Sequence, residues 1–532
     1  MGDLADAALA GEFAVGEREE RGNGLGREAG HAERHGDGAG PMLDGRVLDG
    51  RAEFTETAAV AGEAHQEFMG ATQATPCASI WVDVEDIFDY FRFNPHPSGI
   101  QRVAIEIMRA LVKQDGSERV RFARREKAPA EGALREVHWA EIEAMLATPA
   151  RVEQPKAEDP ADDQARRSRV QRAILRMPPE LRDPLFRAGV LQSQVLRNVR
   201  ALTQVVRPPP PRELRAMPEG GPVGGETGPQ PGDLYLVLGA PWSVPGSAAL
   251  LAALQQRGVR IALLIHDLIP LRRPEWQPQA VVKRFRSWFE ASLPCCDLVL
   301  TISRYTADDV ARYARERGIA LAAPVRPVPA GTSLPQAAAT RPVGLPIAGQ
   351  YVLYVSTLEA RKNHTLALKV WLRLMAEVRA GARAAGSVPQ LVFAGRIGIG
   401  VADLLQQLDN RTWLNGRVRL IRDPSDAEVR ALYEGCLFTI MPSLFEGWGL
   451  PLGESLALGK PCLAASGTAL PEAGGDLCRY FDPEDVGAAH RAVSALLDTP
   501  GAIADWEAEV RRRFRPRPWD DAARAILQAV PA

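Results

Sequence analysis

The sequence predicts an α/β protein built from two Rossmann-like domains, each with a parallel, doubly wound sheet. Three observations carry this. Apolar runs of strand length alternate with amphipathic stretches of helical length. The alternation stops at a proline-rich connector, Pro324 to Pro346, and then restarts. The chain of 532 residues is long enough for two substantial cores.

Residues 1–76 are rich in Gly, Ala, Glu and Arg and hold no sustained apolar period, so they are expected to form a disordered tail. Met69, close to the first strand-like run, is a second candidate start. Gly22-Asn23-Gly24-Leu25-Gly26 follows no strand and reads as composition rather than a dinucleotide loop.

The first domain is expected over 77–335. Ser79 to Val84 reads as a strand, and Gly99 to Leu111 as a turn entering an amphipathic helix. Leu234 to Leu238, Arg260 to Ile265 and Leu298 to Ile302 supply further strands. Between them, about 125–231 reads as a charged, partly helical insertion that ends in Pro208 to Pro211. Its arginines, from Arg166 to Arg200, interleave with Leu, Ile, Val and Phe. Two readings stay open: peripheral contact with the anionic inner membrane, or solvated helices covering the domain's own core.

The second domain is expected over 346–504, with strands at Tyr351 to Val355, Gln390 to Phe393, Val418 to Ile421, Leu437 to Met441 and Pro461 to Ala464. Residues 505–532 read as one helical segment packing back toward the first domain.

The charge balance, Lys+Arg 64 against Asp+Glu 66, builds in no attraction for nucleic acid. Six cysteines without metal-ligand spacing, and a start without a basic then apolar leader, fit a reduced, cytoplasmic protein. The uncharged run Leu234 to Gln256 is broken by Gly239, Pro241, Pro245 and Gly246, which argues against a membrane span.

The chemistry concentrates in Pro442 to Gly459. A buried strand empties into a turn where Gly447 and Gly449 let backbone approach a ligand, and Leu450-Pro451 opens a helix that Gly459 ends. A ligand there meets a helix N-terminus at the carboxyl end of a strand. Glu446 and Glu454 suit sugar and ribose hydroxyls, which donate to carboxylates. A capping role is the alternative for Glu454.

This constellation resembles family 4 retaining glycosyltransferases of the GT-B fold, whose signature is EGFGLPxxEAxAxGxP. Here it stands as EGWGLPLGESLALGKP, with Trp448 for Phe and Ser455 for Ala. The resemblance runs from about Ile80 to the C-terminus, omitting the insertion. It implies that Glu446 serves the hexose, that Glu454 serves the ribose, and that Gly447, Gly449 and Leu450 line the donor site. Arg361 and Lys362, after the strand Tyr351 to Val355, correspond to the pair that holds the diphosphate, and they are expected to open a helix. Ser356-Thr357 stands where many members have Gly-Arg. His266-Asp267 resembles the family's HD pair, which implies that His266 reaches the hexose and that Asp267 orients the loop. Ser98-Gly99 resembles the glycine loop of the first domain, with Gly99 near the phosphates and Arg102 near acceptor or phosphate. Arg396, after Gly395, is a candidate for the phosphate pocket, and Glu472 is expected to shape a turn.

The string His266-Asp267-Leu268-Ile269-Pro270-Leu271 looks most like bacterial mannosyltransferases of polysaccharide or O-antigen synthesis. It implies hexose transfer, with mannose from GDP-mannose the foremost candidate, to a glycan or lipid-linked acceptor. No Asp-x-Asp occurs in the chain, so no metal cofactor is expected and cations must meet the diphosphate charge. A nucleotide-sugar epimerase or phosphorylase on the same fold, or a non-catalytic glycan-binding scaffold, are the competing readings.

Overall fold

The computed structural model describes residues 79–94, 96–116, 118–125, 134–147, 228–332 and 344–530. The expected tail, the arginine-rich part of the insertion and the middle of the connector lie outside the described residues.

In the first domain the chain runs β1 (Ile80–Asp83), α1 (Glu85–Phe91), α2 (Gly99–Asp115), β2 (Val120–Arg125), β3 (Leu134–Val137), α3 (Trp139–Ala147), β4 (Leu234–Val237) and α4 (Ser247–Gln256). It continues through β5 (Arg260–Ile265), α5 (Ile269–Arg272), α6 (Gln279–Ser292), β6 (Leu298–Thr301), α7 (Arg304–Arg317) and β7 (Arg326–Pro327). The sheet order is β3-β2-β1-β4-β5-β6-β7, parallel except for the antiparallel β2–β3 pair. The central strands β1, β4, β5 and β6 read as largely apolar runs because both faces are covered. Alternate residues go to opposite cores: Val82, Leu236, Leu264 and Leu300 to one, Trp81, Tyr235, Leu263 and Val299 to the other.

The expected insertion begins later than about 125. Phe122 pairs with Val137 and Ala123 with Glu136, and the Arg121 guanidinium donates to Glu136 at 2.8 and 2.6 Å. Val137 and Ile142 are buried in the domain's core. Residues 134–137 therefore extend the first sheet, and α3 packs Ile142 into the same core.

The second domain runs β8 (Tyr351–Val355), α8 (His364–Arg379), β9 (Gln390–Ala394), α9 (Ala402–Asn410), β10 (Val418–Ile421), α10 (Asp426–Gly435) and β11 (Thr439–Met441). It continues through α11 (Leu450–Ala457), β12 (Cys462–Ala465), α12 (Leu470–Gly474), β13 (Arg479–Phe481) and α13 (Val486–Asp498). Its sheet order is β10-β9-β8-β11-β12-β13. The strand order reverses at β8–β11, and in a doubly wound sheet a ligand binds at the carboxyl end of such a switch point.

The terminal segment is two helices, not one. Pro516 and Pro518 interrupt it between α14 (Ala502–Arg513) and α15 (Trp519–Ala529). Trp506 and Val510 of α14 join the second domain's core, whereas Trp519, Ala522, Ala523 and Ile526 of α15 join the first domain's. A β-carbon at Gly331 would lie 2.4 Å from the Trp519 ring, so the indole lies directly against backbone. Among the described residues no helix is long and apolar enough to cross a membrane.

Candidate active site

β11 ends at Met441, and the loop that follows delivers Glu446, which is only 6% exposed. Its Oε1 accepts from Lys362 Nζ at 2.5 Å and its Oε2 from the Arg361 guanidinium at 3.1 Å. Burial favours the neutral acid, but Lys362 and Arg361 outweigh it and hold the carboxyl at about 2. Burial opposes the charge on Arg361 too, yet Glu446, Glu359 and Asp267 raise it above the usual arginine value. Burial and the neighbouring Arg361 depress Lys362, against the pull of Glu446. The group is an ionised carboxylate held by two cations. Thr468 fixes its backbone, since Glu446 N donates to Thr468 Oγ1 at 3.0 Å.

Arg361 and Lys362 do not open α8 as expected. They lie in a 3₁₀ turn, Ala360–Lys362, and Asn363 at φ 56° separates them from the helix that begins at His364. Tyr354, beneath them on β8, donates to Lys362 O at 2.8 Å and lies 3.0 Å from Ser443 Oγ. Ser356, at the position that departs from the family pattern, meets His364 Nε2 at 3.1 Å. It thus belongs to the floor of the site.

Gly449, at φ 104°, is the N-cap of α11, and a β-carbon there would meet Leu470 at 2.6 Å. The helix carries Glu454, 5% exposed, whose Oε2 accepts from Tyr433 Oη at 3.0 Å and whose Oε1 accepts from Arg102 at 2.6 Å. Glu454 lies in the second turn and makes no capping hydrogen bond.

The first domain meets this turn with the carboxyl end of β5. A β-carbon at Gly447 would lie 2.1 Å from His266 O. The His266 ring turns back into its own domain, Nε2 lying 2.8 Å from Leu238 O. A carbonyl only accepts, so Nε2 carries the proton and Nδ1 the lone pair. Burial lowers the imidazole to about 4, which keeps it neutral near pH 7. Asp267 accepts from Ile269 N at 3.0 Å and so caps the short α5.

The other candidates also bridge the domains. Gly99 starts α2, and a β-carbon there would lie 3.9 Å from Leu450 Cδ1. Arg396 donates to Asn94 Oδ1 at 3.1 Å and to Tyr90 Oη at 3.0 Å, both in the first domain. Glu472, expected to shape a turn, instead accepts from Arg304 N at 2.9 Å, capping α7 from the opposite domain.

Tyr433, Thr468, Tyr354 and Asp86 were not among the residues the sequence singled out, because no motif or period ties them to their partners. Asp86, 4% exposed, accepts from Ala240 N at 2.7 Å, just past the Leu238 that holds His266. Burial lifts its carboxyl to about 7, so the folded state binds more protons than the unfolded one between about pH 4 and 7. Stability from this group is full below that window and is lost as pH rises through it. Thermal unfolding across pH should show Asp86→Asn gaining on the wild type by up to about 1.4 kcal/mol per pH unit there. A constant offset at every pH would mean that Asp86 does not titrate in that range.

Residues 340–515 match the family model described as Glycosyl transferases group 1. The chain carries a group 1 glycosyltransferase domain. With two parallel α/β sheets meeting at their carboxyl ends, it has the GT-B fold. The group 1 domain contains Arg361, Lys362, Arg396, Glu446 and Glu454, whereas Gly99, Arg102 and His266 come from the other domain. The chain is 24% identical to the serotype-specific mannosyltransferase WbdA of Escherichia coli over 294 residues, 52% of this chain and 34% of that one. It is 29% identical to the O-antigen chain mannosyltransferase B of Escherichia coli over 242 residues, 44% of this chain and 60% of that one. The chain thus spans about a third to three fifths of these relatives' lengths. A crystal structure of Anabaena Alr3699/HepE in complex with UDP and glucose aligns over 84% of this chain and 98% of its own, with 13% identity and a TM-score of 0.46.

Proposed function

We propose that the protein transfers a hexose, mannose from GDP-mannose, to a glycan or lipid-linked acceptor in polysaccharide synthesis, with retention of configuration. The observation that carries this is the ionised Glu446–Lys362–Arg361 group at the mouth of a glycine turn, with a second buried carboxylate, Glu454, on the helix the turn opens. The relatives' names favour mannose and a polysaccharide product.

In this reading the diphosphate takes Arg361 and Lys362, Glu446 turns to hexose hydroxyls, and Glu454 takes the ribose. Gly447, Gly449 and Leu450 supply backbone close to the donor. The bond from the anomeric carbon to the diphosphate oxygen breaks while the acceptor oxygen bonds to the same face, and the acceptor proton passes to the departing phosphate oxygen. Fixed cations lower the barrier by meeting the charge that develops on that leaving group. His266, with its Nδ1 lone pair, serves the hexose from the first domain. No metal is invoked, since two side-chain cations stand ready for the diphosphate. Contact with the cytoplasmic face of the inner membrane is proposed for the arginine-rich segment 166–200.

The test is a panel of GDP-mannose, GDP-fucose and UDP-glucose, scored for thermal stabilisation and then for slow hydrolysis to the free nucleoside diphosphate. GDP-mannose should raise the melting temperature most and be hydrolysed without EDTA affecting the rate. Absence of both effects with every donor would refute transferase function, and a preference for UDP-glucose would refute the donor assignment alone.

A further inference from the structure

Glu454 has two partners of different kinds. Tyr433, on α10, is buried within the same domain and also lies 3.1 Å from Pro451 O at the head of α11, so it is part of the frame that orients the carboxylate. Arg102 comes from the other domain, from the first turn of α2, with its side chain 21% exposed. Gly99, three residues earlier, faces Leu450, whose Cδ1 lies 3.9 Å from where a β-carbon would stand, which places that first turn beside the helix bearing Glu454. One partner is therefore built in, and the other arrives only when the domains come together.

We propose that Arg102 is a donor-displaceable partner of Glu454 that sets the protein's affinity for the ribose of its donor. The proposal rests on the reading of Glu454 as the ribose carboxylate. Ribose presents two O–H donors, and Oε1, one of the two oxygens that must accept from them, holds the Arg102 guanidinium at 2.6 Å. The guanidinium brings a full positive charge to the carboxylate as well as a hydrogen bond, whereas a ribose hydroxyl brings the hydrogen bond alone. The ribose must replace it at a nearly dry carboxylate, so part of the binding free energy is spent on separating the ion pair. A nucleotide without ribose hydroxyls makes no demand on Glu454 and leaves the pair intact. Arg102 therefore weakens binding selectively for ligands that carry the diol.

This gives Arg102 an effect opposite in sign to that of an ordinary phosphate-binding arginine, whose removal weakens every diphosphate alike. The full chain, its Arg102→Met and Arg102→Lys variants, and Glu454→Gln are titrated by calorimetry with GDP, UDP and the 2′,3′-dideoxy form of each. For the base the wild type prefers, Arg102→Met should bind the ribonucleotide about tenfold more tightly, a shift of about 1.4 kcal/mol, and the dideoxynucleotide no differently. Arg102→Lys, which keeps the charge but not the guanidinium geometry, should move the same way by less. Weaker or unchanged ribonucleotide binding in Arg102→Met, or an equal gain for the dideoxy form, overturns the proposal. Glu454→Gln tests the reading beneath it. It should sharply reduce the preference for ribose over dideoxyribose, and an undiminished preference, or a wild type that binds neither GDP nor UDP, overturns the donor-site reading itself.

Discussion

Glu446→Gln should lower the transfer rate by roughly 100-fold, the scale of removing one preorganised electrostatic partner. It should also cost the free protein about 3–5 kcal/mol of stability, because neutralising one member of a buried ion group leaves the others uncompensated. Lys362 Nζ lies 2.5 Å from the carboxylate and Arg361 3.1 Å, and while Arg361 keeps Glu359 at 3.1 Å, Lys362 is only 8% exposed. A nucleoside diphosphate brings its own negative charge to the two cations, so it should raise the melting temperature of Glu446→Gln more than that of the wild type. The pH dependence follows from the depressed carboxyl. Its stabilisation is present above the unfolded value near 4.5 and is lost as pH falls toward about 2, a decline that the glutamine variant lacks. Wild-type melting and turnover in Glu446→Gln would remove Glu446 from the site.

Gly447→Ala should reduce kcat by about 100-fold while changing donor affinity by less than about threefold. The new β-carbon would lie 2.1 Å from His266 O and 3.1 Å from Asp267 Cβ, and the first of these is backbone at the end of a central strand. It is not free to move, because β5 is paired on both sides and the His266 ring is tied to Leu238. The two domains must therefore stand apart by about an ångström, and a misplacement of that size between reacting groups costs about 10²-fold in rate. Donor contacts proposed for the second domain are left in place. Gly386→Ala is the control, since nothing lies within 4 Å of a β-carbon there. Unchanged kcat in Gly447→Ala would show that this closed approach of the domains is not the one in which transfer occurs.

Much of the fold was legible because central parallel strands are apolar on both faces. Arg260 to Ile265 and Tyr351 to Val355 stand out as uninterrupted runs and match β5 and β8 residue for residue. β2 and β3 did not stand out, since β3 is the edge strand with β2 beside it, and Arg121, Arg124, Arg135 and Glu136 break their apolar runs. The break between α14 and α15 was also missed, although Pro516 and Pro518 mark it. The amphipathic pattern resumes on the far side of the prolines, and only packing shows that the two halves serve different cores.

The same division runs through the site. The sequence by itself pointed to Glu446 and Glu454 at one glycine turn and to Arg361 and Lys362 after the strand Tyr351 to Val355, because each pair sits in its own contiguous strand-to-helix segment. It did not determine their partners. That Arg102 holds Glu454 across 352 positions, that Tyr433 fixes its other oxygen, and that Arg396 and Glu472 reach into the first domain depend on how two separately formed sheets meet. Such contacts are set by the docking of rigid surfaces, and no periodicity along the chain records it. The tertiary structure alone decided that the two carboxylates are buried with assigned cationic partners, and that one of those partners belongs to the opposite domain.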